Sequence, residues 1–305
     1  MNEITLRQLR YFDALARHRH FGRAARDCSV SQPALSVQVR ELETSLGATL
    51  VERGARQITL SSLGEALAQR AYRILREVDE LGDLARASGN PLTGPLRFGV
   101  IPTVAPYLLP ACIQGLNIRY PALQLQPRES ITETLLRDIN ENRLDVALVA
   151  LPVADSSLNE VVLFKEKFVL VRSAADADQP APDLNTLRTM RLLLLEEGHC
   201  FREQTIRYCN LRPRSGQTIM EASTLSTLVQ LVGSGIGVTL LPQMAVSIET
   251  AAAAVSVTEL GRPQPTRQIG LIWRKNHPLS DSFNELADAL KVITADYRSA
   301  MSDTP

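Results

Sequence analysis

The run Asn90-Pro91-Leu92-Thr93-Gly94-Pro95 divides this chain into two parts of different periodicity, which no single layer of structure accommodates. Before it, apolar residues recur at helical spacing. After it, strand-like runs alternate with helical ones. A chain of 305 residues also exceeds what one core ordinarily fills. The expected organisation is a small helical domain over residues 1–60, a long linker helix over 61–89 and an α/β domain over 90–305.

The first domain reads as a winged helix-turn-helix. Leu6, Leu9, Phe12 and Leu15 line one face of a first helix, and Phe21 to Cys28 form a short second one. Ser31 is an N-cap followed by Pro33 in the first turn, where a missing N–H costs nothing. The third helix then runs to Gly47, with Leu35, Val39, Leu42 and Leu46 inward and Gln32, Pro33, Ser36 and Arg40 outward. Val51 to Leu60 is a hairpin turning at Gly54. The first 60 residues hold 9 Arg against 6 acidic residues (9 − 6 = +3), mildly basic within a chain of 33 basic and 33 acidic residues. Small polar residues and Pro on an exposed helix start suit a major groove better than a bundle used only for dimerisation. Gln32, Pro33 and Ser36 are expected at base edges, and Ser31, Arg53 and Arg56 at phosphates or the minor groove.

In the linker helix Leu67, Ala71, Ile74, Val78, Leu81 and Ala85 are spaced 4, 3, 4, 3, 4, the seam of a coiled coil, and the other faces are charged. Two copies are expected to pair along it, rather than the helix lying on its own core.

Beyond the linker, strands are expected at Leu96–Ile101, Leu123–Glu129, Val146–Leu151, Leu163–Arg172, Leu192–Leu195 and Gln268–Trp273, with helices between, which predicts parallel sheets. About 215 residues suit two lobes, one of residues 90–162 plus 267–305 and the other of 163–266. The glycines at 233, 235 and 237 follow a helix and precede a strand. A dinucleotide fingerprint needs the reverse order, so they read as a helix end and a tight strand entry. No GxxxxGK[ST], GxSxG or HExxH occurs.

Charged residues and no apolar stretch at the start argue against a signal peptide, and the uncharged run Ala222–Ile248 is broken by Gly and Pro. A cytoplasmic protein with no membrane segment is expected. Four Cys (28, 112, 200, 209) and four His lack metal spacing, so no metal and no cofactor are expected. Cys28 and Cys112 read as buried core residues. Cys200 follows Gly198-His199 at a helix start. The helix N-terminus, His199, Arg202 and Arg207 favour a thiolate there, whereas Glu196 and Glu197 oppose it. On residues alone, Cys200 and Cys209 remain either buried structural thiols or a reactive pair.

The stretch HFGRAARDCSVSQPALSVQVRELETSLGATLVER resembles the helix-turn-helix of LysR-type transcriptional regulators over about 35 residues without a gap, and GIGVTLLP resembles a further motif of that family. This resemblance implies a long linker helix, a two-lobed regulatory domain like periplasmic solute-binding proteins, binding of promoter DNA as a dimer or tetramer, and work with RNA polymerase. GPLRFGVIPTVAPYLLP and LEEGHCFREQTIRYCN resemble the hydrogen-peroxide-sensing members. That implies Cys200 as the peroxidatic thiol, Cys209 as its disulfide partner, and a peroxide pocket of Thr103, Thr132, His199 and Arg267. It also places Glu203 at the acidic position three residues after the reactive Cys, where those members carry Asp. A regulator of oxidative-stress genes switched by peroxide is therefore expected. The alternative is a LysR-type regulator answering a small organic carboxylate in the inter-lobe cleft. A thiol peroxidase would gain nothing from a helix-turn-helix, so no enzyme is expected.

Overall fold

In a computed structural model the protein is described over residues 4–53, 58–89, 92–209, 220–261 and 264–302. It forms two compact units, residues 1–85 and 86–305.

The first unit is built from local signals. Helix α1 (Leu6–His18) is opened by a reciprocal cap between Thr5 and Gln8 and closed by Arg19 in the left-handed region. Helix α2 (Phe21–Asp27) follows, then α3 (Gln32–Leu46), capped by Ser31 and stopped at Gly47 with φ +63°. Phe12, Leu15, Ala24, Leu35, Val39 and Leu42 meet in one core. Strands β1 (Val51–Arg53) and β2 (Ile58–Leu60) pair antiparallel as the expected hairpin; its turn, with Gly54 and Arg56, lies outside the described residues. Helix α4 (Ser62–Ala87) starts hard against that wing: a Cβ on Gly64 would stand 2.2 Å from the Leu50 carbonyl oxygen.

The seam on α4 divides. Leu67 packs on the domain core and Ala71 joins Leu9 and Leu75 in a small cluster, so these two positions are used inside the unit. Further along the seam Ile74 and Leu81 stay 43% and 63% exposed.

The second unit begins with β3 (Gly94–Val100), α5 (Ala105–Arg119), β4 (Leu123–Glu129), α6 (Thr132–Asn140) and β5 (Val146–Leu151). The chain continues through β6 (Leu158–Ser173), α7 (Leu184–Thr189), β7 (Leu193–Leu195), α8 (Cys200–Cys209), β8 (Met220–Ala222) and α9 (Leu225–Gly233). It closes with β9 (Thr239–Pro242), α10 (Val246–Glu249), β10 (Val255–Glu259), β11 (Thr266–Arg274) and α11 (Ser280–Ser302). The strand order is β10-β6-β11-β5-β3-β4, with β9 also on β6.

The expectation of parallel sheets holds only in part. β4, β3 and β5 are parallel, as are β7 and β8, but β11 runs antiparallel to both β5 and β6. The cause is β6, sixteen residues long, which pairs with β11 along one stretch and with β9 and β10 along the next. A strand that serves both ends of the sheet must be answered by one returning, and β11 is that return. β6 also starts five residues before the strand expected from residue 163, because the polar pair Asn159-Glu160 near its start interrupts the apolar run. The glycine run does end a helix: α9 stops at Gly233, Gly235 has φ +76°, and a Cβ on Gly237 would meet the Arg191 carbonyl oxygen at 2.3 Å.

Candidate functional site

Cys200 is the first residue of α8. Gly198 sets its approach. The glycine has φ +93°, and a Cβ there would stand 2.9 Å from Ile131 Cδ1. Ile131 is the N-cap of α6, so the loop before Cys200 rests on the start of that helix, beside Thr132. Thr132 Oγ1 is buried with no hydrogen-bond partner among the described residues. A hydroxyl in that condition is available to an incoming polar molecule.

Arg267 organises the opposite wall. It is buried and lies across the strand pair from Glu166, donating from Nε to Glu166 Oε2 at 2.8 Å. Nη1 donates to Thr103 Oγ1 at 2.8 Å and Nη2 to the Thr103 carbonyl at 3.0 Å. The second Glu166 oxygen accepts from the Met244 N–H at 2.8 Å. The guanidinium lies 5.5 Å from the centre of the Phe201 ring, which packs edge-on against Phe168. One cation thus fixes the loop before α5, strands β6 and β11, and the residue after Cys200. Because Thr103 Oγ1 accepts from Arg267, its own proton is free to donate outward.

His199 is half-buried, and that burial lowers its pKa against the opposing pull of Glu196 and Glu129, so it is neutral at pH 7. Arg202 does not serve Cys200 as its charge suggested: it donates to the Leu195 carbonyl at 2.9 Å and pairs with Glu221 at 2.8 Å. Glu203 stands exposed on α8, unlike the buried Thr103 and Arg267.

Cys209 is fully buried at the other end of α8, its carbonyl held by Arg188 Nε at 2.9 Å. The two cysteines stand nine positions apart. At about 3.6 residues per turn that is roughly two and a half turns, so they lie on opposite faces and about 13 Å apart along the axis. A disulfide needs α-carbons within about 7 Å. The intact helix therefore forbids the bond.

Burial pushes the Cys209 thiol up to about 11, against a smaller pull from Arg188, and the Cys112 thiol up to about 12. At pH 8 roughly one Cys209 in a thousand is thiolate. Iodoacetamide at that pH should therefore modify half-buried Cys200 and Cys28 in the reduced, folded protein and leave Cys112 and Cys209 unmodified. Peptide mapping reads this directly, and rapid labelling of Cys209 would contradict the geometry.

In the first unit the residues expected to face DNA lie on α3 or at its N-cap, apart from those of the hairpin. Ser31, Gln32, Pro33 and Arg40 are exposed, while Ser36 is half-buried. The Ser31 hydroxyl accepts from the Ala34 N–H at 3.4 Å, its capping bond. Arg53 ends β1, and its side chain lies outside the described residues. Val37, 49% exposed on α3, went unnoticed because it breaks the inward pattern; an apolar group there suits a thymine methyl. Glu166 and Phe201 were missed for another reason. Their partners are remote in sequence, and only a charge inside the strand run FKEKF hinted at the first.

Residues 6–65 match the family described as bacterial regulatory helix-turn-helix protein, lysR family, and residues 89–292 the LysR substrate binding domain. A probable hydrogen peroxide-inducible genes activator of Streptomyces viridosporus is 44% identical over 305 residues, covering 99% of this chain and 96% of that protein. Full-length OxyR of Pseudomonas aeruginosa, with a cysteine replaced by aspartate, superimposes with TM-score 0.73 at 35% identity, covering 95% of each chain. A peroxide-bound cysteine-to-serine mutant of Corynebacterium glutamicum OxyR gives TM-score 0.69 at 33% identity, covering 99% of this chain and 96% of that one.

Proposed function

Because this chain belongs to the LysR family of bacterial transcriptional regulators, we propose that it is a peroxide-responsive activator whose switch is Cys200 at the head of α8. The observation that carries the reading is the setting of that thiol, between a locked glycine turn and a buried Thr103–Arg267 clamp, in a chain similar end to end to peroxide-inducible activators.

Peroxide enters beside Thr132, whose hydroxyl holds one oxygen, while Thr103 donates to the other. The Cys200 thiolate attacks the nearer oxygen. The O–O bond breaks, hydroxide leaves with a proton supplied through Thr103, and Cys200 becomes a sulfenic acid. Neutral His199 orients the peroxide without adding charge. The sulfenic acid is larger and more polar than the thiol, and Cys200 packs partly on the apolar core, so the adduct leaves its seat. Once α8 unwinds, the Cys209 sulfur attacks the Cys200 sulfur, releasing water and closing the disulfide. The regulatory unit repacks around the closed loop, which changes how paired subunits space their helix-turn-helix units on promoter DNA and present them to RNA polymerase. Footprinting one promoter with reduced and peroxide-treated protein tests this: the protected length should change on oxidation and revert with reductant. An identical footprint in both states would sink the reading.

Two further results are expected. Gln32→Ala removes a bidentate contact at a base edge and should weaken the specific site by roughly 1–3 kcal/mol while sparing non-specific binding. Titrations with specific and random duplexes separate these terms. Ile74→Glu places a charge on the exposed apolar row of α4, where pairing is proposed, and should dissociate dimers. Sedimentation of an intact oligomer would move the interface elsewhere.

A further inference from the structure

An open cleft of about 470 Å³ lies between α8 and the strands β6 and β11, and Arg267, the cation of the clamp, reaches its lining. Thr103 and Thr132 do not line it. Gln204, Arg207 and Tyr208 of α8 form one wall, at the i, i+3, i+4 spacing that puts three side chains on one helix face. Lys165 and Gln268, paired across β6 and β11, form the other together with Thr266.

The wall is chemically lopsided. Lys165 and Arg207 carry no ion pair among the described residues, although Glu203 stands one turn before Arg207. The phenol of Tyr208 is half-buried without a hydrogen bond among the described residues. Gln204 Oε1 is buried and has no partner there either. Two unpaired cations, one phenolic donor and one orphaned acceptor thus converge on one space. We propose that this cleft binds a small hydroxylated anion, a phosphate monoester or hydroxycarboxylate, that pins α8 to the sheet. The anionic group sits between Lys165 and Arg207, with Tyr208 donating to it. Its hydroxyl donates to Gln204.

A ligand that holds Gln204, Arg207 and Tyr208 to the strands stabilises α8 as a helix. That is the form in which Cys200 and Cys209 cannot meet, so the anion slows disulfide closure by binding only the reduced form. The binding half of the proposal stands without the redox reading; the slowing half rests on it.

The test uses the reduced full chain, with inorganic phosphate and malate as probes, each against chloride at matched ionic strength. Calorimetry should show saturable binding of at least one probe; which one identifies the ligand class. Lys165→Gln and Arg207→Gln should each weaken it about tenfold or more. Both side chains are exposed, so both variants should melt as wild type does. Disulfide closure after peroxide, followed by intact mass, should slow with bound probe in wild type and be unaffected by it in either variant. No saturable binding by either probe, or binding equal in wild type and both variants, overturns the site. Saturable binding with unchanged closure overturns the pinning role alone, and closure absent with and without probe overturns the redox reading instead.

Discussion

Arg267→Met should destabilise the regulatory unit by about 3–5 kcal/mol and abolish the response to peroxide. The guanidinium side chain is completely buried and its partner Glu166 is 4% exposed at the side chain, so removing the cation leaves a carboxylate in an apolar surround. Thr103 simultaneously loses two donors, and the Phe201 ring loses the charge over its face. The stability part and the sensing part separate in a second variant. Glu166→Gln with Arg267→Met removes both charges and should recover more than half of the lost stability, since the cost of breaking a buried pair lies mainly in the partner left behind. The peroxide response should stay lost in the double variant, because nothing then fixes the Thr103 hydroxyl that Arg267 holds. Urea unfolding gives the first quantity and sulfenic-acid formation the second. Recovery of both together would show that Arg267 acts only through stability.

The second large effect concerns α8. Cys200→Ser should remove all oxidation of the switch, whereas Cys209→Ser should still gain one oxygen at Cys200 and then stop. The two serines are not equivalent because the two thiols are not. One heads the helix at the clamp; the other is sealed in the core with its thiol held up at about 11. Cys209 becomes a partner only after the helix opens. Cys209→Ser should therefore reach the sulfenic acid at the wild-type rate and lose the lasting change of footprint. If Cys209→Ser failed to form the sulfenic acid, Cys209 would have to act earlier than its burial allows.

Much of the first unit was legible in the sequence because its signals are local. Thr5, Ser31 and Gly47 each end or begin a helix by contacts within a few residues. Cys200 could be placed at a helix start in the same way. The clamp could not. Arg267 and Glu166 stand a hundred positions apart and meet only because β6 and β11 lie side by side, a pairing that the local pattern of either strand does not reveal. The same long-range crossing made the sheet mixed where alternation of strands and helices predicted parallel order. The α4 seam shows the reverse problem: spacing does not say which of two neighbours an apolar residue faces, and Ala71 faces its own domain. Glu203, which the resemblance places three residues after the reactive thiol, stands exposed on α8.

Peptide mapping with intact mass, on reduced full-length protein given one equivalent of hydrogen peroxide, tests the central claim most directly. The account predicts a single product lighter by two hydrogens, with Cys200 joined to Cys209 and with Cys28 and Cys112 still free. A disulfide that forms without Cys200, or a wild-type protein in which Cys200 and Cys209 both stay reduced, would contradict it.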